Sequence, residues 1–172
     1  MLKVNESVTR RLSSTVGVAL SSSGPLPTDG KISEHETMST TDWDIFLNYG
    51  SRMIKYKRDE ICLKEGESQN DLFQITSGGV RIEKNGKVVA KLPSGAIFGE
   101  LSFLNWYSAG VNATASANVV ADSKKVEMVV LDGQYLSGAL APNSRLRSCF
   151  FVYLCNLLVS RLQTTLKLMY EP

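Results

Sequence analysis

The feature that most constrains this chain is a hairpin signal. Asn85-Gly86 separates two short apolar-alternating runs, Val80-Arg81-Ile82 and Val88-Val89-Ala90. A two-residue Asn-Gly loop matches the right-handed twist of the strands it joins, because both residues tolerate positive φ. Around it the pattern continues with period two: Ile61 and Leu63, Phe73 and Ile75, then Val126, Met128 and Val130. Turn residues punctuate these runs at Gly66, Gly78-Gly79 and Pro93-Ser94-Gly95. Short alternating strands with close turns predict a closed or sandwiched antiparallel β fold.

The two ends read differently. Residues 1–40 are rich in Ser, Thr, Gly and Pro, and Ser21-Ser22-Ser23-Gly24-Pro25-Leu26-Pro27 carries no period. Such a segment buries too little apolar surface to offset its ordering entropy, so a flexible lead-in is expected there. The folded domain is expected over 41–172. It opens on a short helix capped by Thr40 or Thr41, with Trp43, Phe46 and Leu47 on one face and Gly50 as its stop. Near the C-terminus the period changes to three and four. Leu146, Phe150, Leu154, Leu157, Arg161 and Leu162 predict an amphipathic helix, with Asn143 or Ser144 as cap. Phe151, Val152, Cys155 and Val159 widen its apolar stripe; packing on its own domain is the expected role, a second contact surface is the alternative, and the heptad pattern is too short for a coiled coil.

Composition excludes more than it proposes. The net charge of +2 gives no whole-chain attraction to nucleic acid or to an anionic membrane. No unbroken apolar run reaches the ~18 residues of a spanning helix, so no membrane insertion is expected. Cys62, Cys149 and Cys155 are too few and scattered for a disulfide framework or a zinc site, and thiols of this kind favour the cytoplasm. His35, the single histidine, lies in the lead-in without a catalytic partner nearby. No nucleophile–base pair, P-loop or metal-ligand cluster is present, so no catalytic residue, no metal and no enzymatic activity are expected.

The order of motifs carries a resemblance. Tyr56-Lys57-Arg58-Asp59-Glu60, Lys64-Glu65-Gly66-Glu67, Leu72-Phe73-Gln74-Ile75, Ser77-Gly78-Gly79-Val80 and Gly95-Ala96-Ile97-Phe98-Gly99-Glu100-Leu101 follow one another. Over about residues 41–166 this resembles the cyclic nucleotide-binding domain family of kinase regulatory subunits, the catabolite activator protein and gated channels. The resemblance implies a mainly β fold: an eight-stranded antiparallel β-roll, jelly-roll-like, with a short cassette helix and C-terminal helices. It also implies a ligand cassette at Phe98, Gly99, Glu100, Leu101 and Ser102. Glu100 would accept from a ribose hydroxyl, and the amides around Gly99 and Leu101 would face a phosphate at a helix N-terminus.

One departure decides the functional expectation. The family's cassette carries an arginine whose guanidinium pairs with the cyclic phosphate. Here that position falls on Ala115, or on Val111 if the loop is aligned shorter. Between Lys91 and Lys124 there is no Lys or Arg. The chain is therefore expected to be a non-catalytic regulatory or interaction module for a protein partner or neighbouring domain, with cAMP and cGMP disfavoured as ligands and no cofactor assigned. The alternative is a true cyclic nucleotide sensor whose phosphate contact comes from elsewhere, such as Arg81, Lys84 or Arg147. Asn105 to Asn112 is expected to be a long uncharged loop. Its Trp106 and Tyr107 are candidates for a base contact, for a partner contact, or for packing on the roll. Arg10-Arg11-Leu12-Ser13 resembles a basophilic kinase site, with Ser13 as acceptor.

Overall fold

The computed structural model describes residues 37–110 and 113–170. Ser13, His35 and Val111 lie outside them. Helix α1 spans Thr40–Tyr49. Its cap is Ser39 rather than Thr40 or Thr41, and the expected stop at Gly50 is where it ends. Asp42 decides the register: it accepts from the Ser39 backbone amide at 2.9 Å, while the Ser39 hydroxyl accepts from the Asp42 amide at 3.2 Å. This reciprocal capping box satisfies two amides that the helix leaves open.

Eight strands follow: β1 (Ser51–Lys57), β2 (Ile61–Leu63), β3 (Leu72–Ser77), β4 (Gly79–Lys84), β5 (Lys87–Pro93), β6 (Ile97–Phe98), β7 (Asn118–Ala121) and β8 (Lys125–Leu131). They form two four-stranded sheets, in the orders β1-β8-β3-β6 and β2-β7-β4-β5. Every pairing is antiparallel. The β4–β5 hairpin turns at Asn85 (φ 51°) and Gly86 (φ 72°), the paired positive values that Asn-Gly supplies.

The pleat of β8 divides the core. Val126, Met128 and Val130 point into the roll with Phe73, Ile75, Val80 and Phe98. Val129 and Leu131, on the opposite face, join Leu72 under the helices. Side chains two apart share a face, so one strand serves two cores. Three further helices are α2 (Glu100–Ala109), α3 (Gly133–Leu140) and α4 (Ser144–Tyr170). Asp132 caps α3 by accepting from the Tyr135 amide at 2.8 Å, and Asn143 accepts from the Leu146 amide at 2.9 Å at the start of α4. Phe46, Phe103, Leu136, Leu140, Leu146, Phe150 and Leu154 bind α1, α2, α3 and α4 into one cluster against the β1–β8–β3–β6 sheet.

One reading needs correction. Residues 105–109, expected as loop, complete α2, because Gly110 in the left-handed conformation ends that helix and not an earlier residue. Arg145, at the start of α4, carries no local signal of a partner in the sequence. It bonds the buried Asp42 carboxylate and ties α4 to α1. Burial alone would raise the Asp42 pKa. The Ser39 amide, the Ser39 hydroxyl and the Arg145 guanidinium outweigh that and hold it below the ordinary carboxylate range.

Candidate functional site

Strand β6 and helix α2 meet at Gly99, and the site is built outward from it. Gly99 has φ +90°, and a Cβ there would stand 2.6 Å from the Asp71 carbonyl oxygen. Only glycine satisfies both constraints. Before it, Phe98 stacks on Phe73 at 4.8 Å with the rings 4° from parallel, which fixes the entry to the turn. After it, no side chain caps the α2 N-terminus. Phe98, Gly99, Glu100, Leu101 and Ser102 all line one cavity of about 510 Å³. Leu63, Ile82, Leu92 and Val119 form its apolar wall, and Ser160, Arg161, Thr164 and Thr165 of α4 cover it.

Glu100 is only 4 % exposed, and it is not free. The Arg161 guanidinium donates to its carboxylate through Nη1 and to the Ile97 carbonyl through Nη2. Ser102 is also engaged, donating its hydroxyl to the Thr114 carbonyl at 3.1 Å. Ala115 lines the cavity and is buried, its amide donating to the Glu67 carbonyl at 2.9 Å. The other nearby cations each hold a carboxylate. Lys84 bonds Glu65, Lys91 bonds Asp122 at 2.8 Å, and Arg81 bonds Glu83 at 2.6 Å and Asp59 at 2.8 Å. Asp122 sits below the ordinary carboxylate range chiefly because Lys91 hydrogen-bonds it. Arg147 donates to the Ala141 carbonyl at 3.2 Å.

Trp106 and Tyr107 lie elsewhere. Tyr107 packs on Phe103 at 5.7 Å and on Phe151 at 5.1 Å, and Trp106 packs on Phe103 at 6.2 Å. Neither is among the residues lining the cavity. The residue that sequence reasoning missed is Arg161. It stands at an apolar-stripe position of α4, and no local motif marks a cation that reaches 61 residues back along the chain. The signal available was indirect: a cassette carboxylate without a cassette cation requires one from another element.

A family model described as "Cyclic nucleotide-binding domain" matches residues 53–143. The chain belongs to that family. A curated relative, cyclic GMP-binding protein C of Dictyostelium discoideum, is 30 % identical over 144 residues. That alignment covers 77 % of this chain and 5 % of the relative, so the chain spans a small part of that protein. Among solved structures, a cyclic nucleotide-binding domain from Methylobacillus flagellatus superposes with a TM-score of 0.71 at 23 % identity, covering 95 % of this chain and 83 % of that one. The regulatory subunit of a cAMP-independent protein kinase A from Trypanosoma cruzi, bound to guanosine, gives a TM-score of 0.56 at 18 % identity, covering 78 % and 41 %. These two solved chains are a binding domain and a regulatory subunit, not catalytic chains. The fold expected from the motif order is thus the one present.

Proposed function

We propose that this chain is a non-catalytic regulatory and interaction module whose cassette does not take cAMP or cGMP in the usual way. One observation carries the reading: Glu100 is already neutralised by Arg161, from the helix that covers the cavity. A cyclic phosphate entering beside Ala115 meets a methyl group where the family supplies a guanidinium. Hydrogen bonds to charged groups contribute about 1.5–3 kcal/mol. Their loss weakens binding roughly ten- to a hundredfold. Lys84, Lys91 and Arg81 are each committed to a carboxylate, so drawing one away costs an ion pair. The apolar wall and the hydroxyls of Ser160, Thr164 and Thr165 suit an uncharged, hydroxylated ligand better than an anion.

Isothermal titration of the full chain with cAMP, cGMP and guanosine tests this. Guanosine is included because the Trypanosoma cruzi regulatory subunit is bound to it, and cGMP because the Dictyostelium relative is named for it. No heat with cAMP or cGMP supports the proposal, and micromolar binding of either overturns it. The second reading is a sensor with a relocated phosphate contact. Arg161 favours it, being a cation placed at Glu100 from outside the cassette. Under that reading cGMP binds, and Arg161→Met abolishes the binding.

A further inference from the structure

The last turns of α4 have one anchor among the described residues. From Ser160 to Tyr170 every described side chain is exposed except Arg161, which is half-buried. Its guanidinium spans the Glu100 carboxylate and the Ile97 carbonyl. Three residues on stands Thr164, exposed, its hydroxyl donating within the helix to the Ser160 carbonyl at 3.0 Å. Arg161 and Thr164 line the same cavity, so both lie on one side of α4. The local sequence is Val159-Ser160-Arg161-Leu162-Gln163-Thr164. An arginine three residues before a hydroxyl, with an apolar residue five before it, is a pattern that basophilic protein kinases read. Val8 and Arg10 stand in the same relation to Ser13.

We infer that Thr164 is a phosphorylation site for an ATP-dependent basophilic kinase, and that its phosphate competes with Glu100 for Arg161. In the transfer the Thr164 hydroxyl oxygen attacks the γ-phosphorus of ATP. The bond from that phosphorus to the bridging oxygen breaks, ADP leaves, and the hydroxyl proton passes to the catalytic aspartate of the kinase. Such a kinase takes its substrate extended, so the end of α4 unwinds first. A helix end with exposed side chains is the part of a fold that opens most readily. The contact opposing it here is the Arg161–Glu100 pair, so Glu100 masks the arginine that the kinase reads.

Once attached, the phosphate carries about −1.5 to −2 charge and three acceptor oxygens. Residues three apart are neighbours on a helix surface. A guanidinium can meet a phosphate through two parallel hydrogen bonds, so Arg161 has a second anion within reach on its own helix. The phosphate also sets negative charge on the cavity side of α4, facing the Glu100 carboxylate, and like charges repel. Both effects oppose closure of the original pair. What the cavity binds plays no part in this, because only the pair is involved.

The full chain incubated with ATP and a calmodulin-dependent protein kinase, then mapped by tandem mass spectrometry, is the test. The expected result is phosphate on Thr164, placed severalfold faster in Glu100→Gln, where Arg161 is released, with the rate at Ser13 unchanged. Hydrogen exchange on the phosphorylated parent chain is expected to rise by about tenfold or more in the amides from Leu162 to Lys167, and to stay unchanged from Leu146 to Leu154. That measurement needs no variant, so it stands should Glu100→Gln misfold. Phosphate confined to Ser13, or placed on Ser160 or Thr165 and not on Thr164, overturns the site. A Thr164 phosphate that leaves exchange at the end of α4 unchanged overturns the competition with Glu100.

Discussion

Replacing Arg161 with methionine tests the buried ion pair at the cassette. Methionine keeps the aliphatic reach along the cavity and removes the guanidinium. Glu100 would then hold a carboxylate, 5 % exposed, with no cation beside it. Breaking a fully buried pair from one side costs about 3–5 kcal/mol. The Arg161 side chain is 31 % exposed, so solvent already screens its outer edge, and about 1–3 kcal/mol is the discounted expectation. At a urea slope of ~2 kcal/mol per M, the unfolding midpoint falls by roughly 0.5–1.5 M. Glu100→Gln should cost less, because a partly exposed arginine released from its partner can turn to water while a buried carboxylate cannot. The double variant should lose less than the sum of the two single losses, leaving a coupling of about 1 kcal/mol. Equal costs for the two single variants, or strict additivity, would refute the idea that the carboxylate is the member that depends on the pair.

Three further outcomes follow from particular contacts. Gly99→Ala forces a left-handed φ and a Cβ at 2.6 Å from a backbone oxygen, so it should lower stability by more than ~1 kcal/mol in the same urea titration. Asp42 has a folded pKa depressed below its unfolded ~3.9. Its share of stability is therefore fully present above that unfolded value and lost as pH falls through the depressed one, so the destabilisation caused by Asp42→Asn should shrink as pH drops below about 4, read from midpoints across pH. Burial, chiefly, pushes the Cys62 thiol up to about 12. The thiolate is the reactive form, so iodoacetamide at neutral pH should label the exposed Cys155 well before Cys62, and mass mapping of the peptides checks the order.

How far the sequence reached depended on whether a feature was local. The Asn85-Gly86 hairpin and the Gly50 stop are each set by a few neighbouring residues, and each stands where the pattern put it. The alternation in β8 was legible, although the pattern showed only one of its faces. Val129 and Leu131 serve a second core that the sequence could not announce without the helices in place. The length of α2 was underestimated, because Asn105, Ser108 and Gly110 are individually poor helix formers while Phe103, Trp106 and Tyr107 gain from packing as a helix. Phe98, Gly99, Glu100, Leu101 and Ser102, grouped by family resemblance, line one cavity. Arg145 and Arg161 were not placed, since ion pairs to Asp42 and Glu100 join residues 103 and 61 positions apart.

The retained glutamate and the absent arginine are one problem. A carboxylate as buried as Glu100 is tolerable only with a compensating cation and hydrogen bonds. In a cassette with its own arginine, an incoming phosphate and the glutamate can be served by separate groups. Here one guanidinium serves Glu100 and the Ile97 carbonyl together. An anionic ligand would compete with Glu100 for it, and each increment of phosphate binding would strip the protein of part of its own neutralisation. A neutral ligand avoids that competition, because it can bind the apolar wall and the covering hydroxyls while the pair stays closed. The same pair anchors the length of α4 beyond Leu154, so any group that opens it also loosens the segment carrying Leu162 and Leu166. Ligand entry and the support of this segment are therefore linked through Arg161. The sign of that linkage is set by the ligand's charge: an anion that captures Arg161 loosens the end of α4, and an uncharged ligand leaves it held.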